Sequence, residues 1–190
     1  MNLPSITSAV EAIAKEAGAF LRIQQSAFSQ ERVSLKSLNA LVSDVDENAE
    51  RLLVDRLSEL LPQAGFLTEE ETTKQDTEKE WVWIIDPLDG TTNFLHGNPQ
   101  FCVSIALKYQ GRLDQAVIYD PLRNELYTAS KGQGAFLNNR RIRVSGLASL
   151  NTALLGTGFP FRIQQHIDSY LNTFQALFTQ VSDIRRPGSA

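Results

Sequence analysis

The chain has 190 residues, 42% of them hydrophobic, and a formal net charge of -4 at pH 7. That length supports one sizeable core, as one domain or one plus a piece, and the acidic balance supplies no broad positive field for binding nucleic acid or anionic membranes nonspecifically. A single cysteine, Cys102, and two histidines exclude a disulfide framework and a Cys/His zinc site, and point to a reducing, cytoplasmic compartment. The segment Met1-Asn2-Leu3-Pro4 has no basic leader character, and no apolar run approaches membrane-spanning length, so no membrane partner is expected.

Residues 5–28 place Ile6, Val10, Ile13, Ala17, Phe20 and Leu21 at helical spacing, with Lys15, Glu16 and Arg22 on other faces, which predicts an amphipathic helix. The polar stretch from Ser43 to Asn48 leads into a second helical pattern, Ala49, Leu52, Leu53, Arg56, Leu57, Leu60 and Leu61, stopped by Pro62. Thr68 to Lys79 is polar and reads as a solvated loop. From Trp81 the period changes. Trp81 to Ile85, Cys102 to Leu107, Gln115 to Tyr119 and Glu125 to Ala129 are short, apolar and bounded by turn residues, as strands are. Reversals at Gly111-Arg112, Asp120 to Asn124 and Lys131 to Gly134 predict a largely antiparallel meander. Helical spacing returns over 165–180 through Ile167, Tyr170, Leu171, Phe174, Leu177 and Phe178. Two helices, a run of strands and a helix predict an α+β chain with helix layered on sheet.

Asp86-Pro87-Leu88-Asp89-Gly90-Thr91 follows an apolar strand directly, so two carboxylates emerge where the chain must turn. Mg2+ favours near-octahedral oxygen ligation, keeps several waters, and is held by a few carboxylates together with substrate phosphate. Pro87 stiffens the backbone between the two acids, Gly90 accepts a strained turn, and the Leu88 carbonyl is free to face an ion once the ladder has ended. Gly90 and Thr91 also offer backbone N–H groups to phosphate oxygens. A third carboxylate is still needed, and Phe66-Leu67-Thr68-Glu69-Glu70-Glu71, an apolar pair opening into three acids, is the obvious donor. An Asp-Gly pair alone marks a turn, and an acidic triplet alone marks a solvated loop. The whole run Trp83 to Asn93 is far more restrictive than either.

That run resembles the inositol monophosphatase family, which shares its fold and lithium-sensitive metal chemistry with fructose-1,6-bisphosphatases and 3'-phosphonucleotide phosphatases. Asp86 to Asn93 matches the family's Asp-Pro-hydrophobic-Asp-Gly-Thr-x-Asn motif, and Phe94-Leu95-His96-Gly97 its continuation. Glu69-Glu70 is similar to its Glu-Glu element, with Glu70 taken as the metal ligand and Glu69 behind it. The stretch from Lys36 to Asp46 is similar to its Lys then Asn-Asp-x-Val-Thr-x-x-Asp loop, with Ala40 and Ser43 departing from the pattern. Arg185 to Ala190 resembles its Arg-x-x-Gly-(Ser/Thr)-Ala segment, which lines the substrate pocket. The resemblance implies a layered α/β sandwich with a mostly antiparallel sheet packed on two N-terminal helices. The family's later Trp-Asp-x-Ala-(Ala/Gly)-Gly motif, whose aspartate binds a second metal, is supplied by neither Trp81 nor Trp83. Residues 1–190 are thus expected to form a single domain of the family type that stops before that ligand and its C-terminal layer.

By resemblance the activity is hydrolysis of a phosphate monoester, inositol 1-phosphate foremost, with two or three Mg2+ ions, one activating water and another stabilising the leaving oxygen. Glu70, Asp86 and the Leu88 carbonyl would hold the first ion and Asp86 with Asp89 the second. Thr91 paired with Asp46 would orient the water. Leu88, Asp89, Gly90, Thr91, Gly188, Ser189 and Ala190 would contact substrate, with Lys36 and Glu69 as outer supports. The resemblance also implies a homodimer, a small-molecule phosphate ester rather than nucleic acid as partner, and an impaired activity for these 190 residues alone. A 3'(2'),5'-bisphosphate nucleotidase or sugar bisphosphatase is the rival within the enzyme class. A noncatalytic regulatory scaffold, as in some bacterial relatives that act with the transcription machinery, is the rival outside it.

Other features carry bland readings. Cys102 sits mid-strand and is expected to be a small core hydrophobe. His96 reads as a polar loop residue, and Arg140, Arg141 and Arg143 as an exposed strand end. Gly156-Thr-Gly-Phe-Pro-Phe161 lacks the lysine and spacing of a phosphate loop and reads as a strand end followed by a turn.

Overall fold

The computed structural model describes residues 3–28, 35–160 and 164–190. They group into two compact units, Met1–Ile142 with Ser189–Ala190, and Arg143–Gly188.

The first unit opens with two helices, α1 (Leu3–Phe28) and α2 (Leu35–Leu60). In α1, Pro4 falls in the first turn, where its missing N–H is harmless, and Ile6, Val10, Ala14, Ala17 and Leu21 form one buried stripe. In α2 the stripe is Val42, Val45, Ala49, Leu53 and Leu57. The helix therefore begins well before Ala49, and the polar stretch from Ser43 to Asn48, read above as its approach, lies within it. Ser43, Asp44 and Asn48 are exposed while Val42 and Val45 are buried, so the polar residues are the outer face of the same helix. The stretch from Lys36 to Asp46, expected as a loop, is likewise helical; the Lys36 and Ala40 side chains lie outside the described residues.

Seven strands follow: β1 (Gly65–Thr68), β2 (Trp81–Asp89), β3 (Cys102–Tyr109), β4 (Arg112–Asp120), β5 (Glu125–Ser130), β6 (Gly134–Leu137) and β7 (Arg140–Ile142). They form one sheet in sequence order, with β1 parallel to β2 and every other pair antiparallel. The expected meander is present and longer, because tight turns at residues 131–133 and Asn138-Asn139 add β6 and β7. Gln110-Gly111 and Asn138-Asn139 both take positive φ at both positions, the backbone that matches hairpin twist. A short helix, α3 (Thr91–Leu95), interrupts the meander between β2 and β3. Helix α1 packs over β3 and β4, and α2 over β2. Trp83, Ile85, Ile105, Leu107 and Val117 meet the two helical stripes in one core. The α+β class and the mostly antiparallel sheet on two helices are as the sequence led one to expect.

β1 was hidden by its brevity and by exposed Leu67. Its outer edge is covered by its own connection to β2: the Asp76 N–H donates to the Phe66 carbonyl at 2.9 Å, and the Thr68 N–H to Gln75 Oε1 at 2.9 Å. A Cβ on Gly65 would lie 1.9 Å from the Asp76 carbonyl oxygen, so this close approach requires glycine.

The second unit contains β8 (Leu154–Gly156), parallel to β9 (Asp183–Arg185), and α4 (Ile167–Phe178), inside the predicted 165–180 span. Tyr170, Phe174 and Phe178 stack along α4 at i, i+4 spacing, and Phe159 meets the edge of Tyr170. Gly156 ends β8 as expected, and Phe161 lies outside the described residues. No described helix is long and apolar enough to cross a membrane.

Candidate metal centre

The two aspartates that end β2 stand three residues apart, and in a regular strand such a pair points to opposite faces. The ladder shows why they do not. Asp86 pairs with Ser104 and Asp89 with Cys102, so three steps along β2 oppose two along β3. The extra residue at Pro87-Leu88 is a bulge, and it shifts Asp89 to the side of Asp86. Proline suits that position because it has no N–H to give the ladder. The Asp86 Oδ1 accepts the Leu88 N–H at 3.2 Å, which closes the bulge on itself.

Gly90 then turns the chain with φ 104°, and a Cβ there would lie 2.9 Å from the Gln100 carbonyl oxygen. The turn folds α3 back so that the Thr91 hydroxyl donates to the Leu88 carbonyl at 3.2 Å. The expected pairing of Thr91 with Asp46 is therefore not the one formed; the turn places the hydroxyl over the bulge. Asn93, at the end of the motif, clamps the following loop, donating to the Gln100 carbonyl at 2.6 Å and accepting from Asn98 Nδ2 at 2.9 Å.

Three further acids, Asp46, Glu69 and Glu70, gather around this strand end. Asp46, on α2, is buried, and its Oδ1 has no hydrogen-bond partner. Burial, then the carboxylates of Glu70, Asp86 and Glu69, push its pKa up to about 8. Asp86 is pushed up to about 7 by burial first, then by Glu69 and Asp89, and Glu69 is in hydrogen-bonding reach of it. Glu70 is raised by burial and by Glu69, Glu50 and Glu47. The two neighbouring glutamates thus divide: Glu69 faces Asp86 and the strand end, whereas Glu70 faces the acids of α2. The expectation placed Glu70 at the metal and Glu69 behind it; the glutamate within hydrogen-bonding reach of Asp86 is Glu69.

Asp89 is engaged by the distant segment expected at the substrate pocket. Ser189 Oγ donates to both the Asp89 carbonyl and Oδ2 at 2.9 Å, the Ala190 N–H donates to the same carboxylate, and Cys102 Sγ lies 3.6 Å from it. Ser189 and Ala190 therefore hold an acid of the site. Gly188, at φ 85°, precedes them. Burial pushes the Cys102 thiol up to about 12, so it is no nucleophile at neutral pH. The His96 ring contacts only the Thr92 carbonyl through Nδ1, at 2.8 Å, among the bonds of the described residues.

Sequence reasoning missed Glu50. It is fully buried on α2, and its two oxygens accept from the backbone of Glu70 and Thr72. The signal was available: Glu50 lies four residues after Asp46, on the same face of the same helix.

A family model, that of the inositol monophosphatase family, matches residues 2–190. The chain belongs to the inositol monophosphatase family. Among curated relatives, a protein named Nus factor SuhB from Salmonella typhimurium is 43% identical over 187 residues, covering 98% of this chain and 70% of the relative. Among solved structures, the extragenic suppressor protein suhB of Bartonella henselae has a TM-score of 0.85 at 36% identity, covering 98% of this chain and 71% of that one. The inositol monophosphatase of Anabaena has a TM-score of 0.83 at 34% identity, covering 100% and 69%.

The donor set fits the hard cation that this family generally uses. Carboxylate and carbonyl oxygens are what Mg2+ prefers, and a buried, unpartnered Asp46 Oδ1 among other acids calls for positive charge. As they stand, no three acidic, thiol or imidazole groups among the described residues converge on one point. Glu69 lies within hydrogen-bonding reach of Asp86, and Asp89 is held by Ser189.

The crowding has a measurable signature. Asp46 and Asp86 take up protons in the folded chain well above their ordinary 3.8, so folding binds protons between pH 4 and pH 8. That contribution to stability is present below the ordinary carboxylate range and is lost as pH rises through about 7 to 8. In chelator, thermal melts are expected to show a higher Tm at pH 5 than at pH 8.5, and saturating Mg2+ to shrink the difference. A flat profile in chelator would show that the acids do not repel one another.

Proposed function

We propose that this chain carries the nucleophile side of a Mg2+-dependent phosphate monoesterase, with inositol 1-phosphate as its foremost substrate. The observation that carries the reading is the bulge at Pro87-Leu88, which sets Asp86 and Asp89 side by side at a strand end facing Glu69. Glu69, Asp86, the Leu88 carbonyl and Asp89 are the residues that would hold the metal, two or three ions in the whole family site. A bound cation would neutralise the repulsion among Glu69, Asp86 and Asp89. When bound, Mg2+ supplies a more acidic water and neutralises charge on the phosphoryl group. The chain's own residues do the rest. The Gly90 and Thr91 N–H groups orient phosphate oxygens, the Thr91 hydroxyl fixes the attacking water, and Asp46 offers a buried acceptor near Asp86. Ser189 and Ala190 keep Asp89 oriented.

Phosphate release with Mg2+ tests the substrate class. Inositol 1-phosphate is expected to be cleaved in preference to 3'-phosphoadenosine 5'-phosphate, lithium to inhibit, and the rate of residues 1–190 alone to fall well below that of a full-length relative, because the family's facing aspartate is not among them. The reverse preference would favour a bisphosphate nucleotidase. The proposed state of the intact site is the family's homodimer.

A second reading rests on the name borne by the bacterial relatives, Nus factor SuhB. It favours a regulatory role alongside the transcription machinery, and with it the charge argument against a nucleic-acid context loses its force. A scaffold has no physical need to crowd carboxylates at a strand end. Calorimetric Mg2+ titration, with Asp89→Asn as control, separates the readings: no uptake at millimolar Mg2+ would favour the scaffold.

A further inference from the structure

Residues 69–80, between β1 and β2, adopt no helix or strand, so their backbone donors need partners outside any ladder. Within this segment Glu71 has φ 53°, the left-handed region that a glutamate rarely occupies. One carboxylate brackets it. Glu50 Oε2 accepts the Glu70 N–H at 2.8 Å, and Oε1 accepts both the Thr72 N–H and the Thr72 hydroxyl at 2.8 Å. Glu50 is fully buried on α2, a rigid helix packed over β2, while the turn it grips carries Glu69 toward the end of that same strand.

We infer that Glu50 is a positioning residue: it holds the strained turn at Glu71 from both sides and so fixes the backbone from which Glu69 reaches Asp86. The inference deepens the metal reading proposed above and rests on it. A pair of N–H groups flanking a left-handed residue makes a concavity that binds an anion, and here the anion is supplied from within the chain. The function of a carboxylate there follows from geometry. Both oxygens are needed, one for each side of Glu71, and no apolar or hydroxyl side chain at position 50 presents two acceptors. Asp46 and Glu50 lie four apart on one helix face, so a single rigid element sets both the buried acid of the site and the turn opposite it.

Glu50→Gln keeps the volume and replaces one acceptor by a donor facing an N–H. The variant is expected to lose amide hydrogen-exchange protection at Glu70 or Thr72 in metal-free protein, to bind Mg2+ roughly tenfold more weakly by calorimetry, and to keep its helical circular dichroism. Adding Glu71→Gly, which removes the objection to positive φ, is expected to restore part of that affinity. Unchanged amide protection together with unchanged Mg2+ affinity in Glu50→Gln would overturn the inference. A double variant as weak as the single one would also overturn it, since a general packing role predicts no rescue. A wild-type chain that takes up no Mg2+ overturns the metal reading instead, and the amide arm then decides whether Glu50 holds the turn.

Discussion

Asp86→Asn is expected to abolish Mg2+ uptake at millimolar concentration while raising the Tm of the metal-free protein at pH 8. Both effects come from removing one negative charge and nothing else. Asparagine has the size of aspartate and still presents Oδ1 to the Leu88 N–H, the 3.2 Å bond that closes the bulge. The backbone that sets Asp89 and the Leu88 carbonyl should therefore survive. What is lost is the carboxylate common to both proposed ion positions, and loss of a direct ligand should exceed the 10- to 100-fold that second-sphere changes typically cost in affinity. What is gained is relief: Asp86 contributes to holding Asp46 up near pH 8, and its own ionisation is opposed by burial, Glu69 and Asp89. At pH 8 the wild-type chain must carry these charges in a half-buried site, and the variant carries one fewer. Calorimetry and melts in chelator read the two effects independently. Mg2+ binding within threefold of wild type, or a lower Tm at pH 8 with the fold intact, would defeat the assignment of Asp86 as the shared acid.

Apolar runs bounded by turn residues located β2 to β5, because each strand's burial is local in sequence and its turns are marked by glycine or proline. α1 was legible for the same reason. β1 was not, since four residues with an exposed Leu67 carry too little alternation, and its parallel pairing depends on a connection of irregular structure. The start of α2 was obscured because its polar residues were read as a boundary rather than as the outer face of a helix whose inner face is Val42, Val45 and Ala49.

The candidate site was legible in identity and less so in arrangement. The motif from Asp86 to Asn93 declared its acids, but the bulge that aligns Asp86 with Asp89 is a property of pairing with β3, which no spacing rule contains. Thr91 was assigned to Asp46 by resemblance, yet the turn at Gly90 gives its hydroxyl to Leu88. Glu50 escaped notice because a lone glutamate in a helical pattern usually faces water. Only the meeting of α2 with the backbone at Glu70 and Thr72 shows what it holds.

The choice between Glu69 and Glu70 yields the second large effect. Glu69→Gln is expected to weaken Mg2+ binding at least about 10-fold, and Glu70→Gln by no more than about threefold, which is the reverse of the order suggested by the family motif alone. The two side chains leave adjacent residues of one turn and so point apart. Glu69 lies within hydrogen-bonding reach of Asp86 and leads the charges acting on it, whereas Glu70 interacts with Glu47 and Glu50 and is the foremost charge on Asp46. Burial alone does not separate the two glutamates, because Glu70 is the less exposed of the two and yet interacts with the acids of α2. The proton equilibria supply a check that needs no metal. With Glu69 neutralised, the Asp86 titration followed by carboxyl chemical shift should move down from about 7 while that of Asp46 moves less, and Glu70→Gln should do the opposite. A double-mutant cycle of Glu69→Gln with Asp86→Asn should then show strong coupling in metal-free stability, and the same cycle with Glu70→Gln little. If Glu70→Gln is instead the variant that loses Mg2+, the turn must rearrange when the cation enters, and Glu69 would be the acid that yields its place.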